Sequence, residues 1–149
     1  MKKLYALLLV PLLAVACIRV DQTPNEGSGE KPDDGIFIHI TKGAGDAHEV
    51  LMALMLADKF STSHDVLLYF DIDGIEMVLA DAPNLEMDPF DPSDEIFRRL
   101  VDRDVTILAC PACLEVAGNT ENDLRKGVRL ASKNEFFNFT DGRILTIDY

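Results

Sequence analysis

Apolar positions along the chain fall into two kinds of run. Short, nearly unbroken stretches occur at residues 35–40 (Gly-Ile-Phe-Ile-His-Ile), 65–71, 105–109 and, briefly, 128–130, with an alternating one at 143–149. Runs of that length, rich in β-branched side chains, predict strands, and those lacking polar alternation predict strands buried on both faces. Between them, apolar side chains recur at helical spacing. The clearest cases are 47–60, with Leu51, Leu54 and Met55 in register behind an N-capping Asp46, and 93–102, with Ile96, Phe97, Leu100 and Val101 behind a capping Ser93. Shorter helical stretches are expected at 76–80, just after Cys113, between Asn119 and Gly127, and at 132–139. Residues 81–92, with three prolines, read as a long loop bordering whatever crevice the strands create. Strands and helices in this alternation predict a mainly parallel five-stranded sheet covered on both faces, an α/β fold.

The beginning of the chain obeys a different pattern. Lys2 and Lys3 precede an apolar stretch from Leu4 to Ala16, the basic and hydrophobic regions of a secretory signal and too short to span a bilayer securely. Residues 1–16 are therefore read as a signal peptide. Ala14-Val15-Ala16 fits ordinary signal-peptidase cleavage, and Leu13-Ala14-Val15-Ala16-Cys17 resembles a bacterial lipobox, which would make Cys17 a lipid anchor. Residues 17–34, rich in Pro, Gly, Ser and acids, read as a flexible tether to a single domain at 35–149. The expected location is periplasmic or on the outer membrane, with the membrane reached only through the lipid.

Charge narrows the partners. Without residues 1–16 the chain carries 12 basic against 26 acidic side chains, a formal charge of −14. Nucleic acid is not an expected partner of such a field, and no basic stripe interrupts it. No cofactor is expected either. Gly43 and Gly45 lack the third glycine of a dinucleotide loop and the Gly-Lys-Ser/Thr of a phosphate loop, and Asp71 and Asp73 fall short of an oxygen-ligand calcium loop.

The chemistry concentrates in Val-Thr-Ile-Leu-Ala-Cys-Pro-Ala-Cys-Leu-Glu-Val-Ala-Gly, residues 105–118. A buried strand ends there at Cys110, and Cys113 follows at the start of a helix. The crevice beyond the carboxyl ends of parallel strands collects ligands, and a helix start favours a thiolate. Cys110 is the candidate reactive group and Cys113 the candidate resolving thiol. Lys42, His48 and Asp73 are expected to line the site because they fall at the same end of a parallel sheet. His39, inside the first strand, reads as a satisfied core or edge histidine.

Four features in this order resemble the DsrE/DsrF-like family of small sulfur-relay proteins: Thr41-Lys42-Gly43, Phe70-Asp71-Ile72-Asp73-Gly74-Ile75, the strand into Cys110 with Cys113 beyond, and Leu124-Arg125-Lys126-Gly127-Val128. The resemblance covers residues 35–149. It implies a flavodoxin-like three-layer α/β/α sandwich, assembly into a homo-oligomer, persulfide sulfur carried at Cys110, and a sulfur-donor or thiol-redox protein as partner. Export departs from the relay members, which work in the cytoplasm.

Two other accounts of the cysteines remain open at this stage. Both thiolates with His48 or His39 would make part of a zinc or copper site. Alternatively, Cys110 and Cys113 are a local disulfide or buried pair in a non-catalytic interaction module.

Overall fold

The computed structural model describes residues 34–149, so the signal peptide, Cys17 and all but the last residue of the tether lie outside the described residues. Five strands, β1 (Gly35–Ile40), β2 (Asp65–Phe70), β3 (Thr106–Ala109), β4 (Val128–Leu130) and β5 (Ile144–Asp148), form one sheet in the order β4-β3-β2-β1-β5. Every pairing is parallel, as expected from the apolar runs. Ile36, Ile38 and Ile40, Val66, Leu68 and Phe70, and Ile107 and Ala109 share a face. That face packs against α1 (Ala47–Phe60) and α2 (Ser93–Asp102) through Val50, Leu51, Leu54, Ile96, Phe97 and Leu100. Arg99 and Arg103 both hold the Asp58 carboxylate, clamping α2 to α1.

The remaining helices are short: α3 (Pro111–Val116) and α4 (Glu135–Asn138). From β1 to β4 the chain moves across the sheet in one direction, then returns from one edge to the other to add β5. Phe136 of α4, on that return, packs over the second face, where Phe37, His39 and Tyr69 stack in a row. The sandwich thus has a thick helical layer on one side and a thin one on the other.

Several local expectations change. The short helix expected at 76–80 is a 3₁₀ segment, Ile72–Val78, that begins at the acids themselves. The stretch from Asn119 to Gly127 contains one 3₁₀ turn, Glu121–Asp123, boxed by Thr120 and Asp123, after which Leu124 runs extended and bridges Leu79. Pro92, not Ser93, is the N-cap of α2. Ser93 is fully buried instead; its hydroxyl accepts from Leu85 N–H (2.8 Å) and donates to Asn84, whose side chain accepts from Asp94 N–H (3.0 Å). Asp46 is the N-cap residue of α1, but its carboxylate pairs with Lys42 rather than with the backbone.

Two packing details decide where a site can form. The crevice between β1 and β5, where the direction of strand addition reverses, is the usual ligand position in open parallel sheets. Here it is filled by backbone: the Tyr149 carbonyl accepts from Thr41 N–H (2.8 Å) and from the Thr41 hydroxyl (3.0 Å). Next to it, the 3₁₀ segment lies directly over the end of β1. Gly74 N–H donates to the Asp71 and Thr41 carbonyls, and a Cβ on Gly74 would collide with the Ile40 carbonyl oxygen. Ile75, Met77 and Val78 anchor the segment in the core. Arg125 fixes its far end, donating to the Met77 carbonyl while pairing with Asp94 (2.6 Å) and lying over the Phe97 ring.

Because no flexible side chain can yield to that Cβ, Gly74→Ala is expected to lower stability by about 2 kcal/mol or more. Chemical denaturation of the wild-type and variant proteins measures the difference.

Candidate thiol site

The site begins where β3 stops. Cys110 N–H donates to the Phe70 carbonyl (2.9 Å), continuing the ladder one residue past the strand, and the chain then turns into α3. Pro111 at the first helical position has a fixed φ and no N–H to satisfy, which favours a helix start there. Cys110 is the N-cap. Its sulfur accepts the Cys113 N–H at 3.3 Å, as a serine or aspartate oxygen would in an ordinary cap. Leu114, almost wholly buried, anchors the turn. Both cysteines are half-buried free thiols.

Their titration is split by this geometry. Burial alone would raise the Cys110 thiol, but donors from the Cys113 thiol, the Tyr69 hydroxyl and the N–H groups of Cys113 and Ala112 outweigh it and hold it below the ordinary thiol range. Cys113 moves the other way. Its S–H donates to Cys110, and although the Ile72 N–H favours its thiolate, burial and the charges on Cys110 and Asp71 keep it protonated to higher pH. The pair therefore holds its first negative charge on Cys110. Tyr69 is likewise held in its neutral, donating form by burial, by the Cys110 sulfur and by the Asp71 charge.

The residues expected to line the site separate. Asp73 borders a cleft of about 430 Å³ together with Cys113, Ile72, Ala112, Val116 and Ala117. Lys42 pairs with Asp46 at 3.8 Å, and exposed His48 lies against the Phe90 ring, so neither joins the cysteines. Phe90 belongs to the 81–92 loop, none of which lines the cleft. His39 stands between two carboxylates, with Nδ1 3.1 Å from Asp148 and Nε2 3.0 Å from Asp71. The second contact is close but poorly aligned and leaves both buried atoms without a directed hydrogen bond. Among the described residues no cluster of three or more His, Cys, Asp or Glu is placed to hold a metal ion.

Three contributors were missed in the sequence: Tyr69, Asp71 and Ile72. Tyr69 and Asp71 flank Phe70, the β2 residue paired with Ala109, so parallel pairing of the two strand ends brings them to Cys110. Ile72 is more unusual. It adopts φ 48°, a left-handed conformation that costs a β-branched residue about 1–2 kcal/mol, and its backbone N–H lies against the Cys113 sulfur.

A family model described as the DsrE/DsrF-like family matches residues 35–142. No protein of curated function matches the sequence. Among solved structures, the YchN protein of E. coli superposes with a TM-score of 0.61 at 16% identity, covering 77% of this chain and 99% of that one. MTH1491 of Methanobacterium thermoautotrophicum, a protein of unknown function, gives 0.51 at 12% identity over 77% and 99% of the two chains. BT1422 of Bacteroides thetaiotaomicron, also of unknown function, gives 0.50 at 18% over 76% and 95%. At these identities the likeness establishes the shared fold.

Removing the Tyr69 hydroxyl takes one donor from the Cys110 thiolate. Tyr69→Phe is expected to raise the Cys110 pKa and slow its alkylation at pH 7 by roughly three- to tenfold. The rate should recover as pH rises and the thiolate forms without help. Alkylation rates followed across pH, with the modified residue assigned by mass spectrometry, test this.

Proposed function

The chain belongs to the DsrE/DsrF-like family, and on that premise we propose that Cys110 accepts sulfane sulfur as a persulfide and passes it on, with Cys113 as the resolving thiol. One observation carries this reading: the Cys110 sulfur caps α3, accepting the Cys113 N–H, with the Tyr69 hydroxyl as a second donor. The nucleophile in sulfur exchange is the thiolate, and these donors stabilise it without a cation.

The chemistry balances with the groups present. The Cys110 thiolate attacks the terminal sulfur of a donor persulfide, R–S–SH. The donor S–S bond breaks, a Cys110 S–S bond forms, and RS⁻ leaves and takes up a proton. From the Cys110 persulfide, an acceptor thiolate can take the outer sulfur and restore the Cys110 thiolate. Alternatively Cys113, once deprotonated, attacks Sγ of Cys110 and expels hydrosulfide, leaving a Cys110–Cys113 disulfide that an external dithiol reduces.

The same reading sets the carrier outside the cytoplasm, tethered by lipid at Cys17, and assembled as a homo-oligomer. The amino-terminal sequence supports export, and the family resemblance supports assembly. The metal alternative is not favoured, since His48 is turned to Phe90 and His39 is engaged with Asp71 and Asp148.

Intact mass after exposure to a persulfide donor tests the proposal. Wild-type protein should gain about 32 Da per sulfur, removable by reductant and mapped to Cys110. Cys110→Ser should gain nothing, and Cys113→Ser should retain the added sulfur longer than wild type. A loss of about 2 Da regardless of donor would mean a closed disulfide and exclude carriage under those conditions.

A further inference from the structure

We infer that the cleft beside Cys113 binds the organic half of the sulfur donor, and that it selects persulfides whose organic group is apolar and uncharged over those whose organic group carries carboxylates. This deepens the sulfur-carrier reading and rests on it. The cleft walls are aliphatic and exposed: Ile72 is 62% and Val116 89% accessible, the latter one helical turn beyond Cys113. Large apolar side chains standing free on both sides of a thiol are the unusual feature, because scattered ones are ordinary but a lined concavity is not. Ile72 is held there by a left-handed backbone that glycine would adopt without strain.

Charge points to the same occupant. The cleft continues past Ile72, Asp73 and Ala117 into a second hollow of about 400 Å³ bordered by Asp46 and Glu76. Neither lining contains a lysine, arginine or histidine, and the nearby Lys42 is paired with Asp46. Asp71 adds its charge beneath Cys113. An anionic donor such as a glutathione-type persulfide would enter a negative field with no cation to receive it, whereas an alkyl or benzyl group loses water against Ile72 and Val116. Cys110 itself does not line the cleft; with R there, the terminal sulfur of R–S–SH would reach Cys110 past Cys113, whose N–H bonds the Cys110 sulfur, and RS⁻ would depart beside Cys113. The cleft, about 430 Å³, has ample room for a benzyl group, so the discrimination rests on charge and apolar contact rather than on size.

The test compares benzyl persulfide with glutathione persulfide, measuring the rate of sulfur gain at Cys110 in the protein and in an unstructured peptide containing Cys-Pro-Ala-Cys. The benzyl preference in the protein should exceed that in the peptide by about tenfold. Val116→Lys, a change at an exposed position, should reverse the preference toward glutathione persulfide. Alkylation by N-benzyl iodoacetamide against iodoacetate provides the same contrast without sulfur transfer. If the alkylation preference is present and neither persulfide loads Cys110, the carrier reading fails and the cleft's selectivity stands. Equal preference in protein and peptide for both reagent pairs overturns the inference. So does a Val116→Lys variant that changes oligomeric state and leaves donor preference intact, since the cleft would then be a surface between copies of the chain.

Discussion

The contact on which the rest of the site depends is the approach of Gly74 to the Ile40 carbonyl. It lets the 3₁₀ segment lie flat across the end of β1, with Ile75, Met77 and Val78 buried beneath it. From that position the chain must travel from the end of β2 to the end of β1 within a few residues. Ile72 absorbs the turn in a left-handed conformation, and the same turn carries its N–H to Cys113. Strain at such a residue persists only where surrounding contacts over-determine it. Arg125 supplies one of those contacts by holding the far end of the segment to α2, which gives the Leu124–Val128 motif a structural reason.

Two thiols one helical turn apart would compete for a single negative charge, and their surroundings decide the winner. Cys110 sits at the end of the backbone N–H array and beside a neutral tyrosine; Cys113 sits nearer Asp71 and has the Ile72 N–H as its backbone donor. Asp71 favours Cys110 indirectly, because a carboxylate beside Cys113 and Tyr69 discourages either from ionising. The asymmetry arises from backbone placement, with no basic side chain needed, which suits an acidic protein.

The buried strands were legible because parallel central strands leave continuous apolar runs, and the Cys-Pro sequence marked the handover from β3 to α3. The 3₁₀ segment was not, since its buried positions, Gly74 with Met77 and Ile75 with Val78, repeat every three residues and leave no amphipathic stripe of the α-helical kind. Ser93 has the composition of a cap and serves instead as a buried strut for Leu85, a role set by contacts with a loop rather than by its own helix. Lys42 and His48 follow the carboxyl end of β1, but neighbouring parallel strands are about 4.8 Å apart, and β1 lies two strands from β3. Sharing an end does not make a shared site. Tyr69 and Asp71 became visible only with the β2–β3 register, a long-range pairing that local pattern does not encode.

The sheet order also explains why the open space lies beside the thiols rather than in the usual crevice. A five-stranded parallel sheet that reverses direction at β1 and β5 offers its natural crevice between those strands, yet Thr41 and the Tyr149 carbonyl close it with hydrogen bonds. Asp148 reaches His39 across the same seam, and His39 stacks on Tyr69. What would have been a ligand pocket becomes a rigid wall behind Tyr69, fixing the ring that donates to Cys110. The open space lies instead beside Cys113, between Ile72 and Val116, where apolar walls meet the Asp73 carboxylate. A fold whose usual crevice is sealed in this way leaves an open concavity beside the helix that carries the cysteines, which is where the proposed chemistry is placed.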